Sequence, residues 1–149
     1  MLFWTHFVVT LFGILLIFNS VENSFIFFIV ALFSSFIPDI DSEHSKVGKF
    51  GISKVLSSFS KHRGIFHSLF FVFLVGFILW IYFPIISFAF IFGYSIHLFV
   101  DSFTKRGVRL FYPFKFKIRG FIRSGGFFEN LIFVVFLILD LGLILVWLF

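Results

Sequence analysis

The chain has 149 residues, of which 60% are hydrophobic and only 13% charged, and its formal net charge is +5. An average soluble domain is roughly 45–50% apolar and roughly 25% charged, so this composition excludes an ordinary soluble globule, a disordered chain and a coiled coil. It indicates an integral membrane protein whose excess basic residues lie in cytoplasmic loops, and no specific nucleic-acid partner is expected.

Five apolar segments follow one another along the chain and predict an all-α, polytopic membrane protein of one domain, residues 1–149, with about five transmembrane helices. A helix needs about 20 apolar residues to cross a bilayer, and it satisfies its own backbone hydrogen bonds. The third and fifth segments are long enough to span outright, whereas the second is either a span in a thinned bilayer or a re-entrant piece. The predicted spans are 2–18, 24–37, 65–83, 85–100 and 127–149.

The break at Pro84 between the third and fourth segments allows two interpretations. It marks either a tight turn between two helices or a kink in one long bent helix, because proline removes a backbone donor and disfavours a continuous helix. The five-span prediction uses the first interpretation.

The basic residues predict the orientation of the chain. All 12 Lys and Arg residues fall in the loops 38–64 and 101–126. Because basic residues mark cytoplasmic loops, we expect both loops and the N-terminus in the cytoplasm, the C-terminus outside, and a multi-pass location in the cell (inner) membrane. Within the second loop, residues 114–119 alternate apolar and basic side chains, which fits either contact with anionic lipids or an ordinary positive-inside loop.

Histidine and aspartate side chains gather at the cytoplasmic ends of four predicted helices. His97 and Asp101 are four positions apart, which places both on one helix face. The predicted spans bring the whole set to one membrane level, although the residues are far apart in sequence. The set comprises His6, Asp39, Asp41, His62, His67, His97 and Asp101, with His44 close enough to join it.

Each of these residues has an ordinary explanation by itself, such as an interfacial imidazole, a loop-starting Asp or a polar contact between packed helices. Together they are more informative, because ionisable groups are costly near lipid and mark functional sites there. The chain has no Cys, so imidazole and carboxylate are the available side-chain ligands. They predict a divalent metal site, for Zn²⁺ in the first place and Mn²⁺ as the alternative.

Two acidic residues of the last span lie apart from this set. Glu129, at the start of the span, is interpreted as an interfacial charge. Asp140 lies deeper, and we expect it to form a hydrogen bond between helices. A transport role for Asp140 is the weaker alternative, because a transporter needs further polar residues at the bilayer midplane.

The order of these motifs resembles the YdjM-like inner-membrane family of metal-dependent hydrolases. The likeness covers the chain to about residue 115 and is carried by His6 and by the segments 38–41, 62–68, 97–104 and 107–114. It implies a membrane-bound hydrolase. Some members of the family are described as binding the LexA repressor, which implies a cytoplasmic protein partner.

A more distant likeness connects the pattern to zinc-dependent phospholipase C and the P1-type nucleases, helical enzymes with a His-x-x-x-Asp ligand pair on one helix. The later His and Glu ligands of those enzymes have no counterpart after Asp101, so one or two metal ions are expected instead of three. The likeness implies His97 and Asp101 as that pair, with His6, Asp39 or Asp41, and His67 in the other ligand roles. We predict the metal ligands His6, Asp41, His67, His97 and Asp101, with Asp39 or His62 as general base or outer partner. Arg63 and the basic loop are the predicted phosphate-binding groups, because guanidinium groups bind phosphate oxygens in pairs.

The function expected from these observations is metal-dependent hydrolysis of a phosphoester at the cytoplasmic membrane interface. Because the predicted site lies at headgroup level, membrane lipids are the expected partners and a lipid or lipid-linked phosphate is the expected substrate. The alternative is a non-catalytic scaffold or regulator-binding protein, in which the His/Asp site is structural.

Overall fold

The computed structural model describes residues 1–41 and 65–148, without the side chains of Ile40 and Asp41. These residues form five α-helices, short 3-10 turns and two isolated β-bridges, and no strand. The predicted all-α class and the number of helices are therefore confirmed over the described ranges. The helices are α1 (Phe3–Ile17), α2 (Ser24–Ser34), α3 (Leu69–Tyr82), α4 (Pro84–Ser102) and α5 (Phe127–Leu148).

Three segments are long and apolar enough to cross a membrane, namely Phe3–Ser20, Pro84–Ser102 and Phe127–Leu148. Helices α2 and α3 have 11 and 14 residues. At about 1.5 Å per residue they extend about 16 and 21 Å, less than the hydrocarbon core of about 30 Å. The prediction that 65–83 is long enough to span outright is therefore wrong, whereas the shortness of the second segment is confirmed.

The late start of α3 has a local cause. Residues Ile65–His67 form a 3-10 turn, and Ser68 then caps the helix. Its hydroxyl donates to the carbonyl of Ile65 at 2.5 Å and accepts the N–H of Phe71 at 3.3 Å. Because a capping residue leaves helical geometry and satisfies an otherwise unpaired N–H, the apolar run divides into a turn and a shorter helix.

Pro84 begins a new helix. Phe83, with φ −144° and ψ 75°, is not helical, and Pro84 occupies the first turn of α4, where its missing N–H costs nothing. Helices α3 and α4 then pack against each other in antiparallel directions. The hydroxyl of Ser87 donates to the carbonyl of Gly76 at 2.7 Å, and the interpretation of one long bent helix is excluded.

Helices α1 and α5 run side by side in the same direction. Phe12 packs on Phe136 with ring centroids 5.2 Å apart, and Phe18 packs on Trp147 at 5.3 Å. Because residue numbers rise together along both helices, α1 and α5 begin at the same end of the molecule. Parallel first and last helices are what five segments of alternating direction produce.

The start of α1 and the end of the α2 region meet at that same end. Phe3 stacks on Phe36 with ring centroids 4.5 Å apart. The start of α3 is tied to the loop after α4, since the N–H of Leu69 donates to the carbonyl of Leu110 at 2.8 Å. This end of the bundle, called here the common end, therefore gathers the helix termini on which sequence analysis placed the His and Asp residues.

Large apolar side chains cover the outside of the bundle. Phe73 and Phe77 of α3 and Ile138 of α5 are each more than half exposed. Exposed apolar surface of this extent marks contact with a membrane or a partner, which agrees with helices that face lipid.

Candidate metal centre

Five of the predicted site residues meet at the common end. His6 lies in the first turns of α1, and His97 and Asp101 lie one turn apart near the end of α4. Asp39 belongs to the 3-10 turn that follows α2, and His67 to the turn that precedes α3. Segments from four parts of the sequence thus converge, as the common membrane level predicted.

The polar cluster is closed off from its surroundings. The relative exposure is 1% for His6 and 0% for His67, His97 and Asp101. The side chain of Asp39 keeps 21% of its surface exposed. Buried ionisable groups are stable only when they are paired, hydrogen-bonded or coordinated. The contacts that compensate for the burial of these four side chains therefore have to be identified.

The first half of the cluster joins α1 to α4. The imidazole rings of His6 and His97 stack with centroids 4.0 Å apart and planes 9° apart. Nε2 of His6 lies 3.4 Å from Oδ1 of Asp101, and the amino group of Met1 contacts the same oxygen.

The second half brings in the two turns. Oδ1 of Asp39 lies 3.9 Å from Nε2 of His67 and 3.9 Å from Nε2 of His97. The rings of His67 and His97 are 5.6 Å apart and inclined by 67°. Asp39 is the one of these five side chains that also reaches the surface, so it marks the mouth of the cluster.

The geometry fits a small divalent ion. Ligand atoms fall within 4.8 Å of one another in two sets, His6–Asp39–His97 and His67–His97–Asp101. Ligands held about 2.0–2.2 Å from a tetrahedral ion lie about 3.3–3.6 Å apart, and the 3.9 Å between Oδ1 of Asp39 and Nε2 of His97 exceeds this by a few tenths of an ångström. Neither ring nitrogen of His97 has a hydrogen-bond partner among the described residues, and unsatisfied imidazole nitrogens in a buried cluster are suited to coordination.

Two hydroxyl groups hold the backbone around the cluster. The Tyr94 hydroxyl donates to the carbonyl of Phe66 at 2.6 Å, which fixes the residue next to His67. Oγ1 of Thr104 donates to the carbonyl of Asp101 at 2.7 Å and accepts the N–H of Gly107 at 3.1 Å. Such outer contacts orient ligand side chains.

Sequence reasoning missed the role of Glu129. This residue is fully buried, and its carboxylate accepts the N–H of Leu2 and, at 2.5 Å, the N–H of Gly125. It therefore ties the start of α1, and with it His6, to the loop before α5, so its interpretation as an interfacial charge is wrong. The one local signal was the Gly-Gly pair that precedes an acidic residue at a helix start.

Asp140 also differs from expectation. It is buried, with 2% exposure, but neither carboxylate oxygen has a hydrogen-bond partner within residues 1–41 and 65–148. The expected hydrogen bond between helices is therefore not found in this part of the chain.

The other predicted site residues lie outside the described residues. These are His44, His62, Arg63 and the side chain of Asp41. Their assigned roles as ligand, base and phosphate-binding group stay predictions.

Comparison with known proteins decides the family. The model of the YdjM inner membrane protein family matches residues 1–149. The chain belongs to the YdjM inner membrane protein family. Together with the apolar helices, this membership establishes a membrane-embedded protein.

A relative of this YdjM-family protein is the uncharacterized protein YvsG of Bacillus subtilis (strain 168). The two are 39% identical over 102 residues, which is 64% of this chain and 64% of the relative. The match thus spans slightly less than two thirds of the relative's length. No solved structure matches the chain.

Proposed function

We propose that this YdjM-family protein is a membrane-bound, metal-dependent hydrolase of phosphoesters. The observation that carries the proposal is the closed cluster of three imidazoles and two carboxylates at the common end, where His97 belongs to both ligand sets. Imidazole and carboxylate groups in such a cluster are suitable ligands for Zn²⁺ or Mn²⁺.

The proposed roles follow from burial and distance. His67, His97 and Asp101, which form one ligand set, hold the ion together with the enclosed His6, and Asp39 of the other set is left for catalysis. Asp39 reaches both the cluster and the surface, which suits a general base that accepts the proton of an attacking water. The predicted ligand Asp41 would complete the set.

The bound ion would supply Lewis-acid activation of water and of the phosphoryl oxygen. The water oxygen would form a bond to phosphorus as the P–O ester bond breaks, Asp39 would take up the proton of the water, and the departing alkoxide would regain a proton from solvent. The enclosed imidazoles would hold the ion and exclude bulk water, which would strengthen electrostatic interactions at the reacting atoms.

The position of the cluster favours a substrate at the membrane surface. The His and Asp residues lie at helix ends, where a bilayer exposes its phosphate headgroups. A lipid or lipid-linked phosphoester would reach the site without leaving the membrane. Arg63 is the predicted partner of the phosphate, since its guanidinium group binds phosphate oxygens in pairs.

An assay with two substrates tests the proposal. The full chain, purified in detergent with Zn²⁺ or Mn²⁺, is given bis(p-nitrophenyl) phosphate or phosphatidate in mixed micelles. We expect metal-dependent turnover and a fall in kcat of about 10²-fold or more in Asp39→Asn, as for loss of a general base. The matched control is Glu22→Gln, at an exposed position of the turn after α1, which should keep full turnover.

The outcome separates an enzyme from a scaffold. Bound metal with no turnover, or with turnover that Asp39→Asn leaves unchanged, would contradict the hydrolase and favour a structural metal site in a regulator-binding protein.

A further inference from the structure

A basic cleft lies in the loop between α4 and α5. Its volume is about 470 Å³, and its lining consists of Lys105, Arg106, Arg123 and Ser124. Among the described residues no acidic side chain lines it, and its three cationic side chains are exposed. Three positive charges around one cleft favour an anion, and Lys and Arg bind phosphate oxygens through charge-assisted hydrogen bonds.

An apolar crevice of about 210 Å³ shares its walls with the same loop. It lies between the three helices that are long enough to span, and each contributes a side chain, namely Val9 of α1, Val100 of α4 and Ile132 of α5. Phe103 and Ile122 of the loop complete it. Val9 and Ile132 lie about 9 and 8 Å along α1 and α5 from their first residues, and Val100 lies about 3 Å from the last residue of α4, so the crevice extends from the common end into the bundle.

Two paired segments of backbone connect the cleft to the crevice. The N–H of Lys105 donates to the carbonyl of Ile122 at 2.8 Å, and the N–H of Ile122 donates to the carbonyl of Phe103 at 3.0 Å. Each of the two segments lines both features. Phe103 lines the crevice, and Lys105, two residues later, lines the cleft; likewise Ile122 lines the crevice, and the next residue, Arg123, lines the cleft. The lining residues Ile122 and Arg123 are therefore about 4 Å apart between Cα atoms, and Phe103 and Lys105 at most about 7 Å.

We propose that the cleft and the crevice form one binding site for an anionic phospholipid, with the phosphate in the cleft and an acyl chain in the crevice. A soluble phosphate would use only the cations, and a zwitterionic lipid would bring its own ammonium group close to them, which opposes binding. An anionic lipid satisfies both halves. This site goes beyond the proposed hydrolase, since it requires neither the metal nor turnover.

Lipid retention by the full chain tests the proposal. Protein purified in detergent is mixed with phosphatidylglycerol or with phosphatidylcholine of the same acyl chains, and bound lipid is counted by native mass spectrometry. We expect phosphatidylglycerol to be retained at least tenfold better. Glycerol phosphate, which has the headgroup charge but no acyl chain, should fail to displace it at equal concentration.

Variants of the cleft test the headgroup half. A charge-assisted hydrogen bond to a phosphate oxygen contributes about tenfold in affinity, so Arg106→Gln with Arg123→Gln should weaken retention roughly 100-fold. The matched control is Arg109→Gln with Lys115→Gln, which removes the same charge from exposed positions of the same loop outside the cleft. An equal loss in both double variants would overturn a defined headgroup site.

Variants of the crevice test the acyl half. Ile132→Trp fills the crevice and should abolish the preference for lipid over glycerol phosphate, whereas Ile138→Trp, at a position 63% exposed on the same helix, should not. Equal retention of phosphatidylcholine, or displacement by glycerol phosphate, would also overturn the proposal. Asp39→Asn should lose turnover but still bind the lipid. Turnover and lipid retention therefore test the hydrolase proposal and the lipid-site proposal independently.

Discussion

His6 and His97 stack in parallel, with ring centroids 4.0 Å apart, and this contact fixes the first turns of α1 against the last turns of α4. His97 is also the residue shared by both ligand sets, His6–Asp39–His97 and His67–His97–Asp101. The integrity of the candidate metal centre therefore depends on His97 more than on any other of these five side chains.

Removing the hydroxyl group of Tyr94 should weaken the metal centre without removing a ligand. In Tyr94→Phe the carbonyl of Phe66 loses its 2.6 Å hydrogen bond, so the turn that carries His67 is less well held. Loss of such an outer contact typically costs 10–100-fold in metal affinity, and we expect about tenfold for Zn²⁺, measured by competition with a chelator. Tyr82→Phe, at a residue 71% exposed, is the control, and equal affinities in the two variants would contradict the positioning role.

Replacing the Glu129 carboxylate should lower stability. In Glu129→Gln one of the two oxygens that accept the N–H groups of Leu2 and Gly125 becomes an amide nitrogen. A hydrogen bond to a charged group contributes about 1.5–3 kcal/mol, and the Glu129 carboxylate is fully buried. Unfolding of the detergent-purified protein should show a loss of this size, whereas Glu22→Gln, at an exposed position, should behave as the original chain. No difference between the variants would contradict the assigned contacts.

Gly93 permits the close approach of α2 and α4. A Cβ atom at this position would lie 1.9 Å from the carbonyl oxygen of Ala31 and 2.5 Å from Oγ of Ser34. Because the nearest atom belongs to the backbone, Gly93→Ala should separate the helices and cost 1–3 kcal/mol or more, about the range for overpacking.

Gly142→Ala is the matched control for that substitution, since nothing lies within 4 Å of the added carbon. It should be neutral or stabilising, because alanine is the better helix former. If both alanine variants unfold at the temperature of the original chain, the close contact of α2 with α4 is not present.

How far the sequence determines this structure differs from one feature to the next. The apolar runs located all five helices, because lipid admits only hydrogen-bonded, apolar helices. The spacing of His97 and Asp101 placed both on one helix face, and the alternation of helix directions brought them to the end where His6 lies.

Other features depend on contacts that no local pattern contains. The start of α3 is set by the hydroxyl of Ser68 inside an otherwise apolar run. The burial of Glu129 depends on the N–H of Leu2, 127 positions away in sequence. Oδ1 of Asp39 faces His67 and His97 because of how the turn after α2 packs. Residue types alone do not predict that packing.

The orientation in the membrane can be tested at the C-terminus. The loops that carry every Lys and Arg predict a cytoplasmic common end, and parallel α1 and α5 then place residue 149 outside. Alkaline phosphatase fused after this residue should be active, since the enzyme folds only outside the cytoplasm. Green fluorescent protein fused at the same position should not fluoresce, because it does not fold after export in the unfolded state. A fluorescent fusion without phosphatase activity would reverse the assignment.

The most direct test of the central claim is the metal content of the purified chain. After exposure to Zn²⁺ and removal of excess ion, we expect one or two ions per chain by mass spectrometry. Replacing His97 and Asp101 together with Ala should remove this metal, because the double variant breaks both ligand sets. The control Glu22→Gln should retain it. Equal metal content in the original chain and the His97→Ala, Asp101→Ala variant would contradict the metal centre.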